Sequence, residues 1–150
     1  MNSFALKYSN PILLYDGVCG LCTRSVQFII KYEARREILF TPFQSPLGKY
    51  LFQQIGGSDS IDSVILIQIT KNGHWSHHIK SDVVVEIAPF LRFPWRLLAW
   101  IKVLPRGIRD NLYDLTAKYR YKIWGRLKKC YLPKEEETNR FLSQVNDLLL

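Results

Sequence analysis

A short apolar run, Pro11-Ile12-Leu13-Leu14-Tyr15, stops at Asp16-Gly17, and a Cys-x-x-Cys pair, Cys19 and Cys22, follows at once. The run reads as a buried strand ending in a turn. From Leu21 on, Cys22, Val26, Ile29 and Ile30 recur at helical spacing, with Leu21, Phe28 and Tyr32 broadening the stripe. Arg24, Lys31, Glu33 and Arg35 lie mostly off it, as on a helix with one wet face. A strand that feeds a helix through a tight turn needs a partner strand beyond that helix. The chain is therefore expected to be α/β.

The rest of the first two thirds agrees. Ile38 to Phe43 supplies a second strand, and Ser45 as N-cap with Pro46 at the first helical position opens a second helix that runs to Gly56-Gly57. Val64-Ile65-Leu66-Ile67-Gln68-Ile69 is β-branched and nearly all apolar, which suits an interior strand. Asn72-Gly73 then predicts a hairpin into Trp75 to Ile79, and Ser81-Asp82 begins a helix over Val83 to Leu91. The order βαβ then ββα is that of a thioredoxin-like mixed sheet, with a right-handed first crossover.

The last third is expected to be helical. Pro94 and Pro105 bracket one helix, and a second runs from about Ile108 to Gly125 with Ile108, Leu112, Leu115, Tyr119 and Ile123 on one face. A last helix starts at Pro133, with Glu135-Glu136-Glu137 at the positive end of its dipole and Phe141, Leu142, Val145, Leu148 and Leu149 on its stripe. The 150 residues are read as one domain, a core of about 10–92 with a helical extension of about 93–150.

Three cysteines in a chain of this size are too few for a disulfide framework, so they are read for chemistry. The N-terminus lacks the form of a secretory leader, and no apolar run reaches the roughly 18 residues of a membrane span. A cytoplasmic protein is expected. Of the net charge of +8, residues 92–129 hold the excess, with eleven Lys and Arg against two Asp. The basic residues are expected to line wet helix faces, with Arg92, Arg96, Lys102, Arg106 and Arg109 exposed while Trp95, Trp100, Tyr113 and Trp124 pack. A weak contact of residues 92–129 with an anionic surface stays open, and no nucleic-acid partner is expected.

At a helix start, unpaired backbone N–H groups and the helix dipole favour a thiolate at Cys19, while Cys22 lies one turn deeper. An exposed attacking sulfur and a buried resolving one are what thiol–disulfide exchange requires. Asp16, at the strand end, either tunes the sulfurs and accepts a proton or simply hydrogen-bonds its own turn. Gly17 and Gly20 let the loop turn tightly. A zinc site would need the pair, Cys130 and one of His74, His77 or His78, but the histidines lack paired ligand spacing. His77 and His78 are adjacent on a strand and point to opposite faces. Neither a metal nor a cofactor is expected.

The segment Asp16-Gly17-Val18-Cys19-Gly20-Leu21-Cys22 resembles the signature of the DCC family of thiol–disulfide oxidoreductase-like proteins, named for its Asp, Cys and Cys. The resemblance continues through Pro42-Phe43-Gln44, Pro94-Trp95-Arg96-Leu97-Leu98, Tyr113, Arg120-Tyr121-Lys122-Ile123-Trp124-Gly125-Arg126 and Cys130. Trp124 and Tyr119 depart from the commoner phenylalanine and asparagine. Thioredoxins carry a cis-proline before the third strand, where this chain reads Ser60-Ile61-Asp62-Ser63-Val64. That stretch is expected beside Cys19, which makes Asp62 and Ser63 candidate substrate-binding residues.

The resulting expectation is an enzyme that exchanges disulfides with a protein or low-molecular-weight thiol, with Cys19 as nucleophile, Cys22 as resolving thiol and Asp16 assisting. Cys130 is expected to be a bystander or a late resolving thiol. Two alternatives remain. One is a noncatalytic module that docks its basic tail on an anionic membrane or partner. The other is a glutathione-transferase-like protein, since that group adds helices after a thioredoxin-like core.

Overall fold

The computed structural model describes residues 10–57, 64–69, 74–79, 81–125 and 141. Strands β1 (Ile12–Tyr15), β2 (Leu39–Pro42), β3 (Ile65–Ile69) and β4 (Trp75–Ile79) form one sheet in the order β2-β1-β3-β4. β1 runs parallel to β2 and antiparallel to β3, and β3 pairs antiparallel with β4. With helices α1 (Gly20–Tyr32), α2 (Pro46–Gln54) and α3 (Ser81–Ile87), this is the mixed α/β sheet expected of a thioredoxin-like fold.

The alternation of β1 explains the layering. Ile12 and Leu14 pack with Leu39, Ile65 and Ile67 under Leu47, Leu51 and Phe52 of α2. Leu13 and Tyr15 point the other way, with Phe40 and Leu66, against Val26 and Ile29 of α1 and Val83 and Ile87 of α3. Covered on both faces and paired on both edges, every residue of β1 is buried. Its apolar run is what such a central strand demands.

Two caps set the neighbouring turns. Ser45 Oγ accepts the Gly48 N–H at 3.0 Å and donates to the Pro42 carbonyl at 2.7 Å, which starts α2 where the sequence places it. At the other end of α1, Glu33 is buried rather than wet, because one carboxylate oxygen accepts the N–H groups of Glu37 and Ile38. The sequence periodicity places it off the apolar stripe, and its hydrogen bonds offset the cost of its burial.

The helical extension departs from expectation in three ways. The segment between the prolines, Trp95–Val103, is 3₁₀ rather than α-helical. It has neither a capping side chain nor a buried residue, so little rewards the longer α-helical repeat. Phe141, expected on a helix, makes a parallel bridge to Phe40 and stacks on its ring at 5.2 Å. β2 is one of the sheet's two edge strands, and its outer side offers backbone groups to any segment that reaches it. The other residues expected in that last helix lie outside the described residues.

The third departure concerns α4 (Arg106–Trp124). Its stripe of Ile108, Leu112, Leu115, Tyr119 and Ile123 faces solvent. The opposite face is held inward by polar bonds. Arg106 and Arg109 reach Asp82 at the start of α3 at 2.7 and 3.4 Å, and Ser81 donates to Asp110. Arg109 is therefore only 10% exposed, not wet as expected, whereas Arg92, Arg96, Lys102 and Arg106 are exposed. Trp95 packs as expected, against Phe28 at 4.9 Å and Tyr32 at 5.1 Å. Trp100 does not; it is 73% exposed. Tyr113 is half-buried, and the Trp124 side chain is outside the described residues.

Candidate functional site

The site grows out of the end of β1. Asp16 is buried, and its Oδ1 accepts the Val18 N–H at 3.1 Å while its carbonyl accepts the Cys19 N–H at 3.2 Å. That is the turn-building role the sequence allowed. A second partner comes from beyond β2: Gln44 Nε2 donates to Asp16 Oδ1 at 2.6 Å, and Gln44 Oε1 accepts the Gly17 N–H at 3.0 Å. The loop between strand and helix is thus clamped from two directions. In the sequence Gln44 belongs to the family resemblance without a role of its own; its position just past a strand parallel to β1 is the available clue.

Cys19 is the N-cap of α1, with extended backbone and its Sγ accepting the Cys22 N–H at 3.4 Å. Its carbonyl accepts both the Thr23 N–H and the Thr23 hydroxyl. A donor N–H and the positive helix end at one sulfur favour its thiolate form. The two cysteines are not disulfide-bonded. They lie one helical turn apart, as the spacing predicted.

Exposure differs from expectation. The attacking sulfur was expected at the surface, yet Cys19 is fully buried and Cys22 is 4% exposed. The helical extension reaches the residue next to Cys19. Gly125, the C-cap of α4 at φ +74°, accepts the Gly20 N–H at 3.2 Å, which seats the end of α4 on the helix start that carries Cys19.

A cavity of about 450 Å³ lies between α1, α3 and the extension. Leu21, Cys22, Val64, Leu98 and Tyr113 are among the residues that line it. Cys22, and not Cys19, is on its wall. β3 starts at Ile65 opposite Leu14, so the backbone before it arrives at the end of β1 that leads into the Asp16 turn. There the Val64 N–H donates to the Tyr113 hydroxyl at 3.2 Å. Asp62 and Ser63, the candidate substrate-binding residues, lie outside the described residues, as does Cys130. Among the described residues no group of three or more His, Cys, Asp or Glu is placed to hold a metal ion, and no helix is long and apolar enough to cross a membrane.

The chain is similar to known proteins over most of its length. The family described as DCC1-like thiol-disulfide oxidoreductase matches residues 13–126, which include the clamp, both cysteines and α4. The chain is 38% identical over 134 residues to the uncharacterized protein YuxK of Bacillus subtilis, covering 89% of this chain and 94% of that protein. It is 35% identical over 133 residues to a chloroplastic DCC family protein of Arabidopsis thaliana, covering 87% of this chain and 74% of that one. No solved structure matches the chain significantly. With Asp16 clamped before a Cys-x-x-Cys pair whose first cysteine caps α1, and a family match over most of its length, this chain belongs to the DCC1-like thiol-disulfide oxidoreductase family.

Proposed function

We propose that the protein exchanges disulfides with a protein or low-molecular-weight thiol, with Cys19 attacking and Cys22 resolving. The observation that carries the order is the N-cap position of Cys19, whose Sγ accepts the Cys22 N–H. In the reductive direction the Cys19 thiolate attacks a substrate disulfide RS–SR′, forming Cys19–S–S–R and releasing R′S⁻. Cys22, deprotonated, then attacks Cys19 Sγ, forming the Cys19–Cys22 disulfide and releasing RS⁻. Two electrons pass from the dithiol to the substrate, and an external thiol restores the pair. Asp16 is assigned as the group that tunes the sulfurs or takes the Cys22 proton, and Asp62 and Ser63 as the backbone beside the substrate. Such a dithiol suits a reducing compartment, for which the cytoplasm is our assignment.

Because both sulfurs are buried, the attack follows a local opening of the cover over Cys19. The test is a redox titration of the purified protein, with trapping of adducts by a model disulfide. Cys22→Ser is expected to accumulate the mixed disulfide on Cys19, and Cys19→Ser to give neither adduct nor turnover. Trapping at Cys22 in the wild-type protein, or the absence of a reversible Cys19–Cys22 disulfide, would overturn this reading.

A further inference from the structure

Amphipathic helices of a folded domain turn their apolar stripe to the core. α4 does the reverse: Leu112 is 58% and Ile123 65% exposed, while the polar face carrying Arg109, Asp110 and Tyr113 is held against the body. The preceding 3₁₀ segment adds Trp100 and Val103, the latter 83% exposed, to the apolar side chains in solvent. Basic groups accompany them. Lys102, Lys118 and Lys122 are exposed, and on the helix Lys118 and Lys122 flank the stripe on the side of Leu115. Isolated exposed apolar residues are ordinary, but a full helical stripe together with a tryptophan is an interaction surface.

We propose that the outer face of α4 and the 3₁₀ segment before it docks on an anionic lipid bilayer, lying in the interface rather than crossing it. Charge selects this occupant. On and beside this face Lys102, Lys118 and Lys122 are exposed against Asp114, so a two-fold contact with a second copy would bring like charges together, whereas anionic headgroups meet them favourably. An apolar stripe with an aromatic residue at one end and lysines beside it is the form of an interfacial helix. None of the described helices is long and apolar enough to span, which leaves the surface-bound mode. The docking needs neither sulfur and so stands apart from the exchange reaction.

The experiment is sedimentation of the full chain with vesicles of phosphatidylcholine alone or mixed with phosphatidylglycerol. Binding is expected to the mixed vesicles and not to phosphatidylcholine alone. It should fall at least tenfold as ionic strength rises from roughly 0.01 to 0.15 M, where the screening length shortens from about 30 to about 8 Å. The double variants Leu112→Asp/Leu115→Asp and Lys118→Glu/Lys122→Glu should each lose at least about tenfold in partitioning. Their side chains are exposed, so circular dichroism and the thermal transition should match the wild type, and Cys19→Ser/Cys22→Ser should bind as the wild type does. No binding to phosphatidylglycerol vesicles at low salt overturns the proposal. So does equal binding by all variants, or a lipid-free dimer that Leu112→Asp/Leu115→Asp dissociates, which would assign the face to a second copy.

Discussion

Gln44 and Asp16, 28 residues apart, share a 2.6 Å hydrogen bond, and the same amide accepts the N–H of Gly17. Gln44→Ala removes both bonds. Each net bond of this kind is worth about 1 kcal/mol, and the one to a carboxylate somewhat more. The expected loss is about 1–3 kcal/mol in denaturant unfolding, with Cys19 alkylation in the native protein changed because the loop that positions it is loosened. Unaltered unfolding and alkylation would mean that the clamp contributes nothing in solution.

Asp16→Asn separates the two roles of Asp16. The amide oxygen can still accept from Val18, so the turn survives and stability should change by less than about 1 kcal/mol. The charge is gone, and if it acts on the sulfurs the pH profile of exchange should shift or its rate should fall. Superimposable profiles for Asp16→Asn and wild type would reduce Asp16 to a turn residue.

Gly125 combines φ +74° with ψ 175°, a region that is nearly glycine-only. Gly125→Ala should therefore cost about 1–3 kcal/mol and weaken the seat of α4 on the Gly20 N–H. If the proposed opening involves this seat, alkylation of Cys19 under native conditions is expected to speed up. A slower or unchanged rate would show that access to the sulfur runs elsewhere.

Two glycines on helices should respond oppositely to alanine. At Gly48 an added Cβ would sit 2.1 Å from the Pro42 carbonyl oxygen and 2.9 Å from Phe43 Cα, backbone atoms that cannot swing aside. Gly48→Ala is expected to destabilise by about 2–3 kcal/mol or more. At Gly107, in the first turn of α4, nothing lies within 4 Å of the added atom. Gly107→Ala should be neutral or stabilising by up to about 1 kcal/mol through helix propensity. Thermal or denaturant melts of the pair check both signs.

Cys130→Ser should leave exchange largely intact, measured as turnover of a model disulfide. A loss as complete as that of Cys19→Ser would bring a three-cysteine relay back into play. Cys130 lies outside the described residues, so the assay alone decides.

Local chemistry made much of this legible from sequence. The apolar run of β1, the Ser45-Pro46 helix start and the Cys-x-x-Cys spacing each act over a few residues, and strand alternation then dictates which side chains meet α1 and which meet α2. The positions of Cys19 at the helix N-cap and of Cys22 one turn on follow from the same short stretch. What tertiary structure alone decided involves partners distant in sequence. The burial of Cys19, where exposure is expected, accompanies a hydrogen bond from the adjacent Gly20 to Gly125. The second partner of Asp16 comes from beyond β2. The outward turn of the α4 stripe is set by Arg106 and Arg109 reaching Asp82 and by Ser81 meeting Asp110. Periodicity reports that a helix has an apolar face, but which face meets the body depends on the polar bonds the other face can make, and those partners sit on another element.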